Sequence, residues 1–314
     1  MIFLHIFIFI TASLVLAKSG ALVVQTLSRI ARFLKWSEFA VAFILMAFVF
    51  SLPELFVGIS SVIHNIPEIS FGNIIGANVI NLTLAVGLAV LFIGGLKVDR
   101  KVVRKDSLLT VISALFPFIL ILDGELSRVD GAILLFGFFI YIYWLFSQKE
   151  RFSRIYNNAN WGFRQFFKDI LIFLGSVAIL FLSAELVIWS AVIFAGALKI
   201  PMVVVSVLLI GGGTALPEAY FVTRAAIQGN KEMILGNLMG CVVVTSLFIL
   251  GLVALLSPIK IADFSPYVIA RIFLLVSAVF FLAIIKTGEK ITKKEALFLI
   301  LVYLVFVTAE ILMK

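Results

Sequence analysis

The tripeptide Leu-Pro-Glu occurs twice in this chain, as Leu52-Pro53-Glu54 and Leu216-Pro217-Glu218, each time inside a long apolar run. The copies are 164 residues apart. The same offset carries Gly72-Asn73 onto Gly236-Asn237, Gly76 onto Gly240, Gly87 onto Gly251 and Lys35 onto Lys199, with no gap. A constant offset joining so many uncommon residues identifies two homologous halves. They are expected at 1–147 and 169–314, joined by a linker over 148–168 that contains Tyr156 to Trp161. A duplication kept only for packing would account for the glycines but not for a repeated Pro-Glu.

The medium of these halves follows from composition. Hydrophobic residues make up 63% of the chain and charged residues 13%, against about 45–50% and about 25% in soluble domains. The chain therefore reads as an integral membrane protein, with no polar stretch long enough for a soluble domain. Apolar runs long enough to span, about 20 residues each, fall at 2–28, 37–63, 70–96, 106–122, 130–147, 169–196, 201–227, 233–257, 265–285 and 294–312. Residues 1–16 lack a basic leader, and the apolar character continues past Lys18, so they read as the start of the first span rather than a signal peptide. One cysteine excludes an internal disulfide, and two histidines exclude a His-rich metal centre.

The loops set an orientation. Nineteen of the 25 basic residues follow spans one, three, five, seven and nine, and only Arg128, Lys199, Lys260 and Lys314 fall on the other side. The positive-inside rule makes the first set cytoplasmic and puts both termini outside. The net charge of +8 thus orients the chain in a bilayer and implies no nucleic acid. The repeat also acquires a direction. It maps span two onto span seven, an odd number of spans apart, so the second copy crosses the membrane the opposite way. The expected fold is all-α, ten transmembrane helices in two inverted five-helix repeats, with helices 2, 3, 7 and 8 broken by Pro, Gly, Asn or Glu. Inverted repeats with broken helices meeting at the midplane are a transporter signature.

Pro-Glu inside such a helix has a chemical reading. Proline removes a backbone donor and collides with the carbonyl four residues earlier, here Val49 or Gly213. It frees carbonyls near Phe50 and Thr214 and is expected to start a new half-helix whose positive end lies beside the glutamate. A buried carboxylate must be neutralised or given a cation. Carboxylate and carbonyl oxygens together suit a hard cation such as Ca2+ or Na+. Gly211-Gly212-Gly213 adds backbone freedom before Thr214. In spans three and eight, Asn73, Asn78 and Asn81 supply amide oxygens, while the matching segment from Gly236 to Thr245 is poorer in polar groups. Asn81 and Thr245 occupy equivalent positions, with either interhelical hydrogen bonding or cation ligation open to them.

The paired motifs, Ser51-Leu52-Pro53-Glu54 and Thr214-Ala215-Leu216-Pro217-Glu218, each followed by Gly-Asn-x-x-Gly, resemble the α-repeats of the cation/calcium exchanger superfamily, its prokaryotic sodium/calcium exchangers above all. The resemblance covers essentially the whole chain. It implies a secondary antiporter rather than an enzyme, in which Glu54 and Glu218 bind the transported Ca2+, assisted by carbonyls near Phe50 and Thr214. It also implies alternating access by sliding of spans one and six past the core. The expected site therefore comprises Glu54, Glu218, Ser51, Phe50, Thr214, Asn81, Asn78 and Thr245. No cofactor is expected, only transported Ca2+, Na+ or H+; the partners are inorganic cations and the bilayer of the cell membrane.

The departures from the family pattern bear on the counter-ion. Phe50 and Ala215 interrupt the usual Gly-Thr-Ser-Leu-Pro-Glu, and Ala77 and Cys241 replace the serine after Gly-Asn-x-x-Gly. Thr245 stands where the family pairs an aspartate with the asparagine. Two carboxylates can neutralise one Ca2+, whereas several Na+ ions need oxygens that are depleted here. A binding or sensing protein without coupled transport is the alternative these losses leave open. An intramembrane hydrolase would need a nucleophile–base pair, a zinc motif or paired aspartates. No such motif is legible, and neither histidine has an evident partner. Lys18 and Arg271 read as snorkelling charges near span ends. Glu185 is expected near the outer face, not paired with Asp169.

Overall fold

The computed structural model describes residues 2–33, 48–97, 100–147, 163–227, 231–261, 267–287 and 290–312. The first part of the expected second span, Lys35 and the linker through Trp161 lie outside the described residues. Nine helices among those described are long and apolar enough to cross a membrane, and the twelve-residue helix Leu52–Ile63 occupies the end of the remaining expected span. The chain is a multi-span, all-helical membrane protein.

The helices are α1 (Ile2–Phe33), α2 (Leu52–Ile63), α3 (Glu68–Ile80) continued by α4 (Val86–Ile93), α5 (Arg100–Leu120) and α6 (Arg128–Ser147). The second half has α7 (Phe163–Leu198), α8 (Gly211–Ile227), α9 (Lys231–Val243) continued by α10 (Leu250–Leu256), α11 (Val268–Thr287) and α12 (Lys293–Leu312). Wide π-helical turns join the pieces at Asn81–Ala85 and Val244–Ile249 and precede α8 at Val205–Ile210. The first two are related by the 164-residue offset. A π turn shifts side chains around the helix axis and interrupts the regular ladder, a deformation common at functional sites. The broken spans thus deform chiefly by widening.

Burial separates centre from periphery. The spans 68–93 and 234–256 are each 83% buried over their most apolar stretch, against 22% for Arg128–Leu145 and 28% for Lys293–Leu312. The central pair forms the core with α8, and the rest presents leucine and phenylalanine outward, as a lipid-facing surface requires. The packing repeats as well. A side chain at Gly87 would strike the carbonyl of Ala296 on α12, and one at Gly251 would strike the carbonyl of Gly131 on α6.

Two short antiparallel bridges add a feature that an all-α reading does not contain. Strands β1 (Leu96–Lys97), β2 (Glu125–Leu126), β3 (Ile259–Lys260) and β4 (Lys290–Ile291) pair as Leu96 with Ile291 and Leu126 with Ile259. The offset exchanges one bridge for the other to within one residue. They lie at opposite ends of α5, as an inverted repeat demands, and each ties one half to the other.

Helices α1 and α7 pack along each other outside this core. At about 1.5 Å per residue, their 32 and 36 residues exceed the roughly 30 Å hydrocarbon layer, so they tilt or project beyond it. Phe9 meets Phe194, Phe33 stacks on Phe166, and Arg29 Nε donates to Asp169 Oδ1 at 2.9 Å. Asp169 is buried and Arg29 partly exposed. Arg29→Ala strands that carboxylate and is expected to cost about 2–3 kcal/mol. A lowered melting temperature in detergent, largely restored by adding Asp169→Asn, is the expected result; an unchanged melt contradicts it.

Candidate functional site

The two Pro-Glu elements are built differently. Around Pro53 the chain makes a turn and α2 begins, with Ser51 at the N-cap position and proline in the first turn. There its missing N–H costs nothing, because first-turn donors have no helical acceptor. Glu54 consequently sits beside the free N–H groups of a helix start. Pro217 instead lies inside the continuous helix α8. The expectation that both prolines start half-helices therefore holds only for Pro53. In the second copy Pro217 leaves the Gly213 carbonyl without a helical donor; π-helical residues precede both prolines, at 48–49 and at Val205–Ile210.

All eight expected site residues are buried. Glu54 and Glu218 are fully inaccessible and close enough for each charge to act on the other. No lysine or arginine pairs with either among the described residues. The Asn81 amide donates to Glu218 Oε2, a contact between the two halves. Glu54 Oε1, Glu54 Oε2, Glu218 Oε1 and Asn81 Oδ1 are buried without a hydrogen-bond partner. Such orphaned oxygens are rare in folded proteins, since each costs about 1–3 kcal/mol or more when charged. Four of them, three on carboxylates, are oxygens of the kind that hard cations take. No cluster of three or more His, Cys, Asp or Glu side chains exists among the described residues, so the charge of this set comes from two carboxylates alone.

The remaining expected residues divide. Thr214 Oγ1 donates to Asn73 Oδ1 at 3.0 Å, Thr245 Oγ1 to Asn78 Oδ1 at 2.9 Å, and Asn78 Nδ2 to Ser246 Oγ at 2.8 Å. Asn78 is thus bonded to both Thr245 and Ser246. Phe50, the counterpart of Thr214, has no hydroxyl to offer and stacks on Phe221 at 4.4 Å. Its equivalent asparagine, Asn237, accepts instead from the Cys241 thiol at 3.8 Å. Ala77, Ile80 and Ala215 form a small apolar cluster.

Sequence reasoning missed Ser246, Phe221 and Gly20. Asn73 was read as a source of amide oxygen, but not as the partner of Thr214. A Cβ placed on Gly20 would stand 3.5 Å from Pro53 Cγ and 3.6 Å from Pro217 Cγ, so α1 crosses both prolines at its one glycine. Nothing local marks Gly20 as special. Away from the site, His64 Nδ1 lies 3.7 Å from Glu185 Oε2, a partner the sequence did not suggest, and Arg271 stands over the Phe118 ring. Asp169 pairs with Arg29, not Glu185.

Comparison with known proteins places this geometry in context. The family model described as "Sodium/calcium exchanger protein" matches residues 4–147 and 168–312. The sodium/calcium exchanger MaX1 of Methanosarcina acetivorans is 27% identical, with 98% of each chain covered. An uncharacterized membrane protein of Methanocaldococcus jannaschii, MJ0091, is 32% identical over 68% of each. Among solved structures, the sodium-calcium exchanger NCX_Mj soaked with 10 mM Na+ and no Ca2+ superposes with a TM-score of 0.69 at 25% identity, covering 98% of this chain and 99% of that one.

Proposed function

The chain belongs to the sodium/calcium exchanger protein family, and from that premise we propose that it is a secondary antiporter moving Ca2+ against a monovalent cation, Na+ or H+. Glu54 and Glu218 are the charged ligands in this reading, with Asn81 Oδ1 and the carbonyls near Phe50 and Thr214 completing the shell. The observation that carries it is the facing pair of buried carboxylates with three unpaired oxygens and no cationic side chain among the described residues.

Charge accounts for obligatory exchange. A single ionised side chain at mid-membrane costs roughly 2.5–3.5 kcal/mol on insertion scales, and two facing carboxylates add mutual repulsion. A site carrying both charges without a cation is thus penalised when it is closed from water on both sides. A load that cancels the charge removes the penalty, so the protein changes its facing side with cargo and stays put without it. We assign the moving element to α1, which passes over both prolines at Gly20, and α7 packed along it, and the fixed element to the glycine-contacted core. The halves 1–147 and 169–314 each contribute one carboxylate, and both termini lie outside the cell membrane.

Purified protein in liposomes is expected to take up labelled Ca2+ when an outward Na+ or H+ gradient is imposed. Failure of both gradients to drive uptake would sink the antiport reading. Ca2+ binding without uptake would favour a sensor, the reading that the Phe50–Phe221 stack supports.

A further inference from the structure

We propose that this exchange is electroneutral, one divalent cation moving one way for two monovalent cations the other way. The inference rests on the antiport reading above and specifies its cargo. It comes from counting what the core can neutralise and coordinate.

Charge sets the first limit. Glu54 and Glu218 are the only acids in the central site among the described residues; the other buried acids serve elsewhere. Asp169 pairs with Arg29 between α1 and α7, and Glu310 belongs to the peripheral helix α12. Two carboxylates balance one divalent or two monovalent cations. A third monovalent ion would leave a net positive load in a dry core with no anion to meet it.

Coordination sets the second limit. Ca2+ takes about 6–8 oxygens, and the four orphaned oxygens of Glu54, Glu218 and Asn81, with neighbouring carbonyls, can supply one such shell. Among the described residues the side chains around this shell leave little for separate cages. The Phe50 ring, stacked on Phe221, fills the place equivalent to Thr214. Ala77, Ile80 and Ala215 close another flank with carbon. Asn78 is tied to Thr245 and Ser246 by hydrogen bonds, which orient these neutral groups toward one another. The unpaired atoms of Asn73 and Asn237 are amide nitrogens, which donate and so repel a cation. The unpaired hydroxyls of Ser60 and Ser70 can add oxygen but no charge. The two repeats have thus diverged into one shell shared between them.

The test uses the wild-type protein in liposomes with membrane potential clamped by K+ and valinomycin. The steady-state Ca2+ ratio is read under a fixed Na+ gradient, and separately under a fixed H+ gradient. The two arms identify which monovalent ion is carried. In the driving arm the ratio is expected to follow the square of the monovalent gradient and to stay unchanged between zero and 100 mV. A cube dependence, with a shift of about 50-fold per 100 mV for one net charge per cycle, overturns the proposal while leaving antiport intact. Absence of Ca2+ uptake in both arms removes the antiport reading and this inference together.

Discussion

Glu54→Gln and Glu218→Gln are each expected to abolish exchange while leaving a folded protein. Each glutamine keeps the shape of the side chain and removes half of the negative charge available to the cargo. Deleting one partner of a buried ionic interaction costs about 3–5 kcal/mol, or roughly 10²–10³-fold or more in affinity. The fold should tolerate this, because the carboxylates repel each other in the unloaded site, and the Asn81–Glu218 hydrogen bond can persist in the variant. A glutamine at 218 can still accept from Asn81 through its carbonyl oxygen. The decisive readout is therefore not activity alone. Ca2+ should raise the melting temperature of the wild type, since a ligand bound only to the folded state stabilises it by mass action. It should leave both variants unmoved at concentrations that saturate the wild type. A variant that still transports, or still gains thermal stability from Ca2+, removes its glutamate from the site.

That prediction was reachable from residues alone because the inverted repeat was legible as a constant offset. Apolar runs gave the spans, and Pro-Glu marked the place where an apolar helix tolerates both a missing donor and a charge. What could not be read was how each copy accommodates its proline. Pro53 stands at a helix start and Pro217 inside a helix, although the motifs look alike. The difference is a property of backbone hydrogen bonding across several residues and has no composition of its own; π-helical residues precede both prolines, at 48–49 and at Val205–Ile210. The β bridges were equally hidden, being too short to show an alternating pattern. The neighbours of Asn78 were hidden as well: it donates to Ser246 and accepts from Thr245, residues far away in the chain. Asn81 and Thr245 hold matching positions, yet one reaches a carboxylate of the other half and the other closes a neutral hydrogen-bonded group.

Gly76→Ala is expected to be among the most damaging single methyl additions at the described glycines. A Cβ at Gly76 would overlap the backbone carbonyl of Val207 and come within 3.1 Å of its Cα, while one at Gly211 would stand 2.8 Å from the Asn73 carbonyl and 3.1 Å from Gly76 Cα. The backbones of α3 and of the Val205–Ile210 turn leading into α8 therefore touch, first half against second. Neither neighbour can give way by rotating a side chain, so the helices must separate. Overpacking of this kind costs about 1–3 kcal/mol and sometimes more. The separation also falls between the Asn73–Thr214 and Asn81–Glu218 hydrogen bonds. Both cross the same contact, and losing buried partners adds about 1–3 kcal/mol for each. Gly212→Ala is the control, one residue from Gly211 and with nothing within 4 Å of its added Cβ. It should be neutral or slightly stabilising, because alanine is favoured over glycine in a helix by up to about 1 kcal/mol. Monodisperse yield and melting temperature should fall sharply for Gly76→Ala and not for Gly212→Ala. If the two behave alike, the backbone contact between halves is not what positions Glu218 opposite Glu54.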